Sequence, residues 1–218
     1  ATLEVPAASS CASCWNRRRM KGDDRLRAKV IVTDAGPLIT LAAADRLDYL
    51  LLTGAPLFIP DAVLHEATKD IEAIGARSIL EWRDSNADAI RTVSTEAFLH
   101  YVQDLERAPG RRERDLGERA AIEAIHDAIA LKSDERALLL TEDDRVLRQV
   151  LVLQPELSDR IIALTTRDYL SELEAAQRIN SADAVYVAAE TAGRRASPRE
   201  VLKDQSPARR RAGTPFAS

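Results

Sequence analysis

The feature that most constrains the fold is a set of short, uninterrupted apolar runs that alternate with longer segments of helical periodicity. Such runs predict strands at residues 29–33, 57–59, 137–140 and 161–164, and a weaker pattern predicts a further short strand at 89–93. Strands that are apolar without alternation are typical of a parallel sheet that is buried on both faces. The sequence therefore predicts an α/β fold in which helices cover a parallel sheet of about four or five strands.

Helices are predicted between and after these strands. Pro37 suits the first turn of the helix that follows the first strand, and Asp61 is predicted to cap the helix that follows the second. The further predicted helices cover residues 71–83, 96–107, 116–132, 144–150, 169–178 and 183–192. In such folds ligands bind beyond the carboxyl ends of the strands, which is where a site is expected.

Composition places the chain among ordinary globular proteins. It has 218 residues, of which 45% are hydrophobic and 30% charged, enough for one well-buried domain with tails. No run approaches the ~18 apolar residues of a membrane span, and no apolar segment follows the basic residues near Arg17 as in a secretory signal. A cytoplasmic location is predicted, without membrane association.

Charge divides the chain into an acidic body and basic ends. Residues 1–29 carry seven Lys and Arg against three acids, and residues 194–218 carry seven against two. Because the whole chain has a net charge of −4, the part between them has −13. We predict a basic, disordered tail at 1–28, a domain at 29–195 and a second basic, disordered tail at 196–218. Met20, the sole methionine, marks a possible natural start.

Cys11 and Cys14 form an isolated C-A-S-C near the N-terminus. One such pair cannot complete a four-ligand zinc site, and the pair neither follows a strand nor opens a helix as a redox motif would. We interpret it as a feature of the tail.

Four acidic residues fall at similar places in the predicted topology. Asp34 ends the first strand, Glu66 lies in the helix after the second, Glu118 opens the long helix, and Asp143 follows the strand at 137–140. Singly, each has a structural explanation as a helix cap, a turn former or a partner of the helix dipole. Like charges ~4 Å apart repel by ~4 kcal/mol at an effective dielectric of ~20, so four gathered carboxylates suggest a bound cation.

The spacing of the long helix supports an inward position for Glu118. Glu118, Ile122, Ile125 and Ile129 follow one another by four, three and four residues, so they share the buried face. An all-oxygen donor set suits Mg²⁺ or Mn²⁺ and not zinc. Such an ion typically serves phosphate chemistry, because it lowers the pKa of a water and stabilises charge on phosphoryl oxygens.

Four segments carry a resemblance to a known family. VIVTDAGPLI, PDAVLHEA, LGERAAIEAI and LLLTEDDRVLR, in this order and spacing, resemble the PIN-domain ribonucleases, and most of all the VapC-like toxins of type II toxin–antitoxin modules. The segment from Arg160 to Gly193 resembles the last strand and closing helices of that group, with 179–181 joining two helices. The resemblance covers about residues 29–195.

The resemblance implies a three-layer α/β/α sandwich and a metal-dependent endonuclease that cuts single-stranded RNA to 5′-phosphate and 3′-hydroxyl ends. It also implies a small antitoxin partner and a homodimer. Asp34, Glu66, Glu118 and Asp143 match the family's acidic positions, with Asp34, Glu118 and Asp143 as ligands of Mg²⁺ or Mn²⁺ and Glu66 as ligand or base. Many members carry Ser, Thr or Asn at the position of Gly36, so this chain lacks a polar group there.

Further candidates surround these four. Asp144 is an alternative to Asp143, Asp115 precedes Glu118 by three residues, and Thr141 either orients a carboxylate or is a strand-end hydroxyl. The basic segment with Arg111, Arg112 and Arg114 either guides phosphates to the site or is a solvated loop.

Three other functions compete with the toxin nuclease. The chain could be a degenerate PIN-like module that acts as a binding subunit, or an RNA-processing nuclease outside any toxin module. A phosphatase or receiver-type domain also places Asp after a strand, but it is disfavoured because no second Asp lies two residues after Asp34.

Overall fold

A computed structural model describes residues 28–108, 115–130, 136–143, 146 and 160–194. Its five strands are β1 (Val30–Thr33), β2 (Leu57–Pro60), β3 (Ile90–Val93), β4 (Ala137–Leu140) and β5 (Ile161–Leu164). Its seven α-helices are α1 (Ala35–Ala43), α2 (Asp61–Thr68), α3 (Ala76–Ser85), α4 (Glu96–Arg107), α5 (Leu116–Ala130), α6 (Thr166–Ala175) and α7 (Ala182–Thr191). A 3₁₀ helix covers Leu47–Leu51.

The five strands form one parallel sheet in the order β3-β2-β1-β4-β5. The chain builds outward from β1 to β3 on one side and then returns to the other side of β1 with β4. Val30 pairs with Ala137 and Thr33 with Leu140, so β1 and β4 end side by side. Strand order reverses between these two strands, which is where open parallel sheets bind their ligands.

Both faces of the sheet are buried along β1, β4 and β5, as the uninterrupted apolar runs predicted, whereas the edge strand β3 exposes Arg91 and Thr92. On one face Ile31, Leu138 and Leu140 pack with Leu38 of α1 and Tyr169 of α6. On the other face Val30, Val32 and Leu139 pack with Ile122 and Ile125 of α5. These two cores confirm the predicted α/β/α sandwich.

Several element boundaries differ from those predicted. Asp61 does not cap α2 from outside, because it is the first residue of the helix and its N-cap position is Pro60. The Asp61 carboxylate instead accepts hydrogen bonds from Ala62 N at 2.9 Å and Thr95 Oγ1 at 2.7 Å. It therefore ties the start of α2 to the start of α4.

The predicted helix at 71–83 begins later than expected, at Ala76. Gly75 at its N-cap has a φ of +81°, a left-handed conformation that stops the chain from entering the helix earlier. An added Cβ on Gly75 would lie 2.5 Å from the Cβ of Ala42 in α1, so this glycine also allows α3 to approach α1.

We expect Gly75→Ala to destabilise the fold by about 2–5 kcal/mol, since it combines a left-handed backbone strain of about 1–2 kcal/mol with overpacking. Gly54→Ala is the matched control, because Gly54 has a φ of +77° and its Cβ would meet nothing within 4 Å. Urea unfolding of both variants measures the difference. Equal losses would show that the approach of α3 to α1 carries no energetic weight.

The predicted domain limits at 29 and 195 stay predictions. All but the last residue of the predicted N-terminal tail, the whole C-terminal tail and most of the predicted helix at 144–150 lie outside the described residues. Among the helices that the structure does describe, none is long and apolar enough to cross a membrane.

Candidate active site

A cleft of about 370 Å³ opens at the carboxyl ends of β1 and β4. Its wall comes from the residues after β1, from α2, from the start of α5 and from the segment after β4. The lining residues are Asp34, Ala35, Gly36, Glu66, Asp115, Gly117, Glu118, Glu142 and Asp143. All four predicted acidic positions therefore line one cleft, although up to 109 residues separate them in the sequence.

Asp34 is a partly buried carboxylate that two hydrogen bonds hold in place. Its Oδ1 accepts a hydrogen bond from Ala35 N at 2.7 Å, so it caps α1, and its Oδ2 accepts one from Thr141 Oγ1 at 3.0 Å. Burial raises the pKa of Asp34, and the nearby Glu66 and Asp143 carboxylates raise it further, against the lowering effect of the two hydrogen bonds. The ionised form of Asp34 is therefore less favourable in the folded protein than it is for an aspartate in water.

Thr141 links the two central strands at the site. It is fully buried directly after β4, and its backbone N–H donates to Leu164 O at 3.1 Å. Its hydroxyl donates to Asp34 and accepts from the backbone N–H of Asp143 at 3.2 Å. A single side chain therefore contacts both the Asp34 carboxylate and the backbone that carries Asp143.

Glu66 enters the cleft over Gly117. A Cβ at position 117 would lie 2.6 Å from Glu66 Oε2 and 3.6 Å from Asp34 Oδ1. The two carboxylate oxygens therefore lie no farther apart than the sum of these distances, about 6 Å. The glycine of the L-G-E motif is needed here for close approach, because any side chain would occupy the space that the Glu66 carboxylate fills.

The start of α5 brings two acidic residues to the same cleft, Glu118 in its first turn and Asp115 directly before the helix. Ile122 and Ile125 are buried on this helix and Glu118 is half-buried, which agrees with the predicted shared face; the side chain of Ile129 lies outside the described residues. Asp115 has a φ of +60°, a conformation that Asp tolerates better than most residues. It is exposed just before the helix begins.

Glu142 is a lining residue that the sequence analysis missed. Its Oε1 accepts hydrogen bonds from Thr166 Oγ1 at 2.7 Å and from Thr40 Oγ1 at 3.5 Å. Its Oε2 lies 3.6 Å from Arg194 Nη2. The run T-E-D-D offered a signal, but of its acidic residues only the two aspartates, Asp143 and Asp144, were selected as candidates.

The donor chemistry of the cleft fits a hard divalent cation, because every ionisable side chain of its lining is a carboxylate. Burial raises the pKa of Asp34, and the Glu66 and Asp143 carboxylates raise it further, so a cation in the cleft would favour the ionised form of Asp34. Within the part of the chain that the structure describes, however, no three His, Cys, Asp or Glu side chains come close enough together to hold an ion.

Four of the predicted candidates cannot be placed. Asp144 and the three arginines of the basic segment, Arg111, Arg112 and Arg114, lie outside the described residues. Their roles in metal or RNA binding stay predictions.

Comparison with known proteins gives one match. A family model described as a PIN domain matches residues 30–154, more than half of the chain. Neither the curated proteins nor the solved structures contain a match.

Proposed function

Since the chain belongs to the PIN-domain family, whose members are generally nucleases, we propose that it is a metal-dependent endoribonuclease that hydrolyses phosphodiester bonds of single-stranded RNA. One observation supports this most directly. Carboxylates from four separate segments line a single cleft at the point where strand order reverses, and burial together with the neighbouring Glu66 and Asp143 carboxylates raises the pKa of Asp34.

In this proposal Asp34, Glu118 and Asp143 hold Mg²⁺ or Mn²⁺, and Glu66 serves as a further ligand or as the base. When bound, the ion supplies Lewis-acid chemistry, which activates water and neutralises charge on the phosphoryl group. Thr141 fixes the direction of the Asp34 carboxylate by donating to Oδ2, which leaves the other lone pairs of Asp34 for the cleft. Hydrolysis in line leaves a 5′-phosphate and a 3′-hydroxyl.

Purified protein incubated with single-stranded RNA is expected to give fragments with Mn²⁺ and none with a chelator. Glu118→Gln should lower the rate by about 100-fold or more, because the loss of several kcal/mol of charge stabilisation costs a factor of ten per 1.4 kcal/mol. Glu81→Gln is the control, since Glu81 is an exposed residue of α3 that does not line the cleft. Full activity of Glu118→Gln, or fragments that persist in chelator, would contradict the proposal.

We further propose that the chain is the toxin of a type II toxin–antitoxin pair, acts as a homodimer in the cytoplasm and is held inactive by a small antitoxin. Large apolar side chains are exposed at Leu99 and Val102 of α4 and at Val187 of α7. They provide surface that a second copy or an antitoxin helix could cover. Co-expression with the product of the neighbouring gene tests the pairing, which predicts a stable complex without nuclease activity.

A degenerate PIN module that binds RNA without cutting it is the second candidate. It is favoured by the finding that no three carboxylates converge at ligand distance among the described residues. RNA binding without chelator-sensitive fragments would support it. Cleavage in a cell without any antitoxin gene would instead favour an RNA-processing nuclease.

A further inference from the structure

The side chain of Glu142 is fixed by residues of three different elements. Thr40 belongs to α1, Thr166 is the first residue of α6, and Arg194 follows α7. Arg194 also donates through Nε to Thr40 Oγ1 at 3.2 Å, so these groups form one connected network. The Glu142 side chain is only 12% exposed and that of Arg194 27%.

Gly36 provides the space that Glu142 occupies. A Cβ at position 36 would lie 3.3 Å from both Cδ and Oε2 of Glu142, closer than nearly all real contacts of a Cβ. Because the hydroxyls of Thr40 and Thr166 and the guanidinium of Arg194 hold the carboxylate, it cannot easily move away. The observed position of the Glu142 side chain therefore depends on a glycine at position 36.

The network holds the segment Thr141–Asp143 through contacts that are separate from the hydrogen bond between Thr141 and Asp34. Thr141 connects the segment to Asp34 and to the backbone of Asp143, whereas Glu142 connects it to α1, α6 and Arg194. Two of these three partners lie beyond the residues 30–154 that the family model matches. Without the Arg194 guanidinium, the mostly buried Glu142 carboxylate loses a positive charge 3.6 Å away while other carboxylates line the same cleft. Its side chain is then expected to turn toward water and to shift the segment with it.

We propose that Glu142 is a positioning residue that sets the place of Asp143 in the cleft, and that Arg194 holds it there. The C-terminal part of the domain thereby completes a site whose acidic residues all come from the matched part. Where it concerns metal binding, this inference rests on the proposed function.

Arg194→Met distinguishes a positioning role of Arg194 from a purely electrostatic one, because the two roles predict opposite changes in the affinity for Mn²⁺. Removal of a positive charge beside the cleft would by itself strengthen Mn²⁺ binding, whereas loss of positioning weakens it. We expect isothermal titration of the full chain with Mn²⁺, without RNA, to show about tenfold weaker binding, the size of effect typical of residues that orient metal ligands. Arg194→Lys should recover part of the loss.

Arg77→Met is the control variant, because Arg77 forms an ion pair with Glu72 at 3.5 Å and does not line the cleft. It should bind Mn²⁺ as the wild type does. Equal or tighter binding by Arg194→Met would overturn the positioning role. A wild type that binds no Mn²⁺ would overturn the proposed function together with it.

A double-mutant cycle in metal-free protein tests the coupling between Gly36 and Glu142 independently of metal binding. Gly36→Ala should lower the melting temperature of the wild type, since its Cβ crowds Glu142, but raise it by up to roughly 2–4 °C in a Glu142→Ala background, because alanine favours the helix. Glu142→Gln, which keeps the hydroxyl contacts, should retain the crowding. Additive effects of Gly36→Ala and Glu142→Ala would refute the placement of Glu142, whatever the outcome for the nuclease.

Discussion

Replacement of Asp34 with asparagine is expected to abolish RNA cleavage and to raise the melting temperature of the metal-free protein at neutral pH. Asparagine keeps the capping of α1, because it accepts from Ala35 N as Asp34 does. It removes the charge that burial and the carboxylates of Glu66 and Asp143 disfavour. Activity and stability should therefore change in opposite directions.

The pH dependence follows from the sign of the pKa shift. The pKa of Asp34 is raised in the folded state, so the folded protein holds the Asp34 proton more tightly than the unfolded chain does. The wild type therefore loses free energy of unfolding as the pH rises from the pKa of Asp34 in the unfolded chain to its higher pKa in the folded protein, and the loss is complete above the folded-state pKa. The advantage of Asp34→Asn should thus be largest at neutral pH and shrink in acid, where Asp34 is protonated in both states.

Thermal unfolding in chelator measures this effect, and each kcal/mol of relief should raise the melting temperature by roughly 2–4 °C in a chain of this size. Asp88→Asn, at an exposed turn position, is the control and should change neither the rate of RNA cleavage nor the melting temperature. Added Mn²⁺ should stabilise the wild type and not Asp34→Asn. A variant that is less stable in chelator at pH 7 would show that the two hydrogen bonds outweigh the burial and repulsion of the charge.

Gly117→Ala is expected to reduce RNA cleavage strongly without destabilising the fold. Its Cβ would lie 2.6 Å from Glu66 Oε2. That oxygen is the end of a flexible side chain on an exposed residue, so Glu66 can swing out to water at little cost. Alanine is also favoured over glycine within a helix by up to about 1 kcal/mol. A shift of about 1 Å in a catalytic group can lower the rate by about 100-fold.

The mechanism of the Gly117→Ala defect can be checked with a second substitution. In a Glu66→Ala background, Gly117→Ala should add no further loss of cleavage, because the group that it displaces is already gone. Urea unfolding should show equal or greater stability in both variants. Full cleavage by Gly117→Ala would mean that the position of Glu66 over Gly117 has no part in the reaction.

Much of the fold could be predicted because its elements are specified locally. Apolar runs without alternation marked β1, β2, β4 and β5, whereas β3, with Arg91 and Thr92, gave a weaker signal. Three- and four-residue spacing marked the helices that cover the sheet. The errors lie at boundaries such as the start of α3, where Gly75 adopts a left-handed conformation that periodicity does not show. The start of α2 differs from the prediction by one residue, since the helix begins at Asp61 and not after it, a shift smaller than local sequence patterns resolve.

The candidate site divides in the same way. Asp34, Glu118 and Asp143 could be selected because strand ends and helix starts of a parallel sheet converge at one edge. Glu142 could not be selected, because its partners Thr40 and Arg194 lie 102 and 52 positions away in the sequence. Nor does an L-G-E motif reveal that Gly117 makes room for a carboxylate from another helix.

The sequence by itself determined where this chain forms strands and helices and that acidic residues follow the strands, because these properties depend on side-chain period and on near neighbours. Only the tertiary structure decided that β4 pairs with β1, that Glu66 lies over Gly117 and that Arg194 reaches Glu142. Those contacts depend on the order of strands and the packing of helices, which long-range burial fixes and local pattern does not.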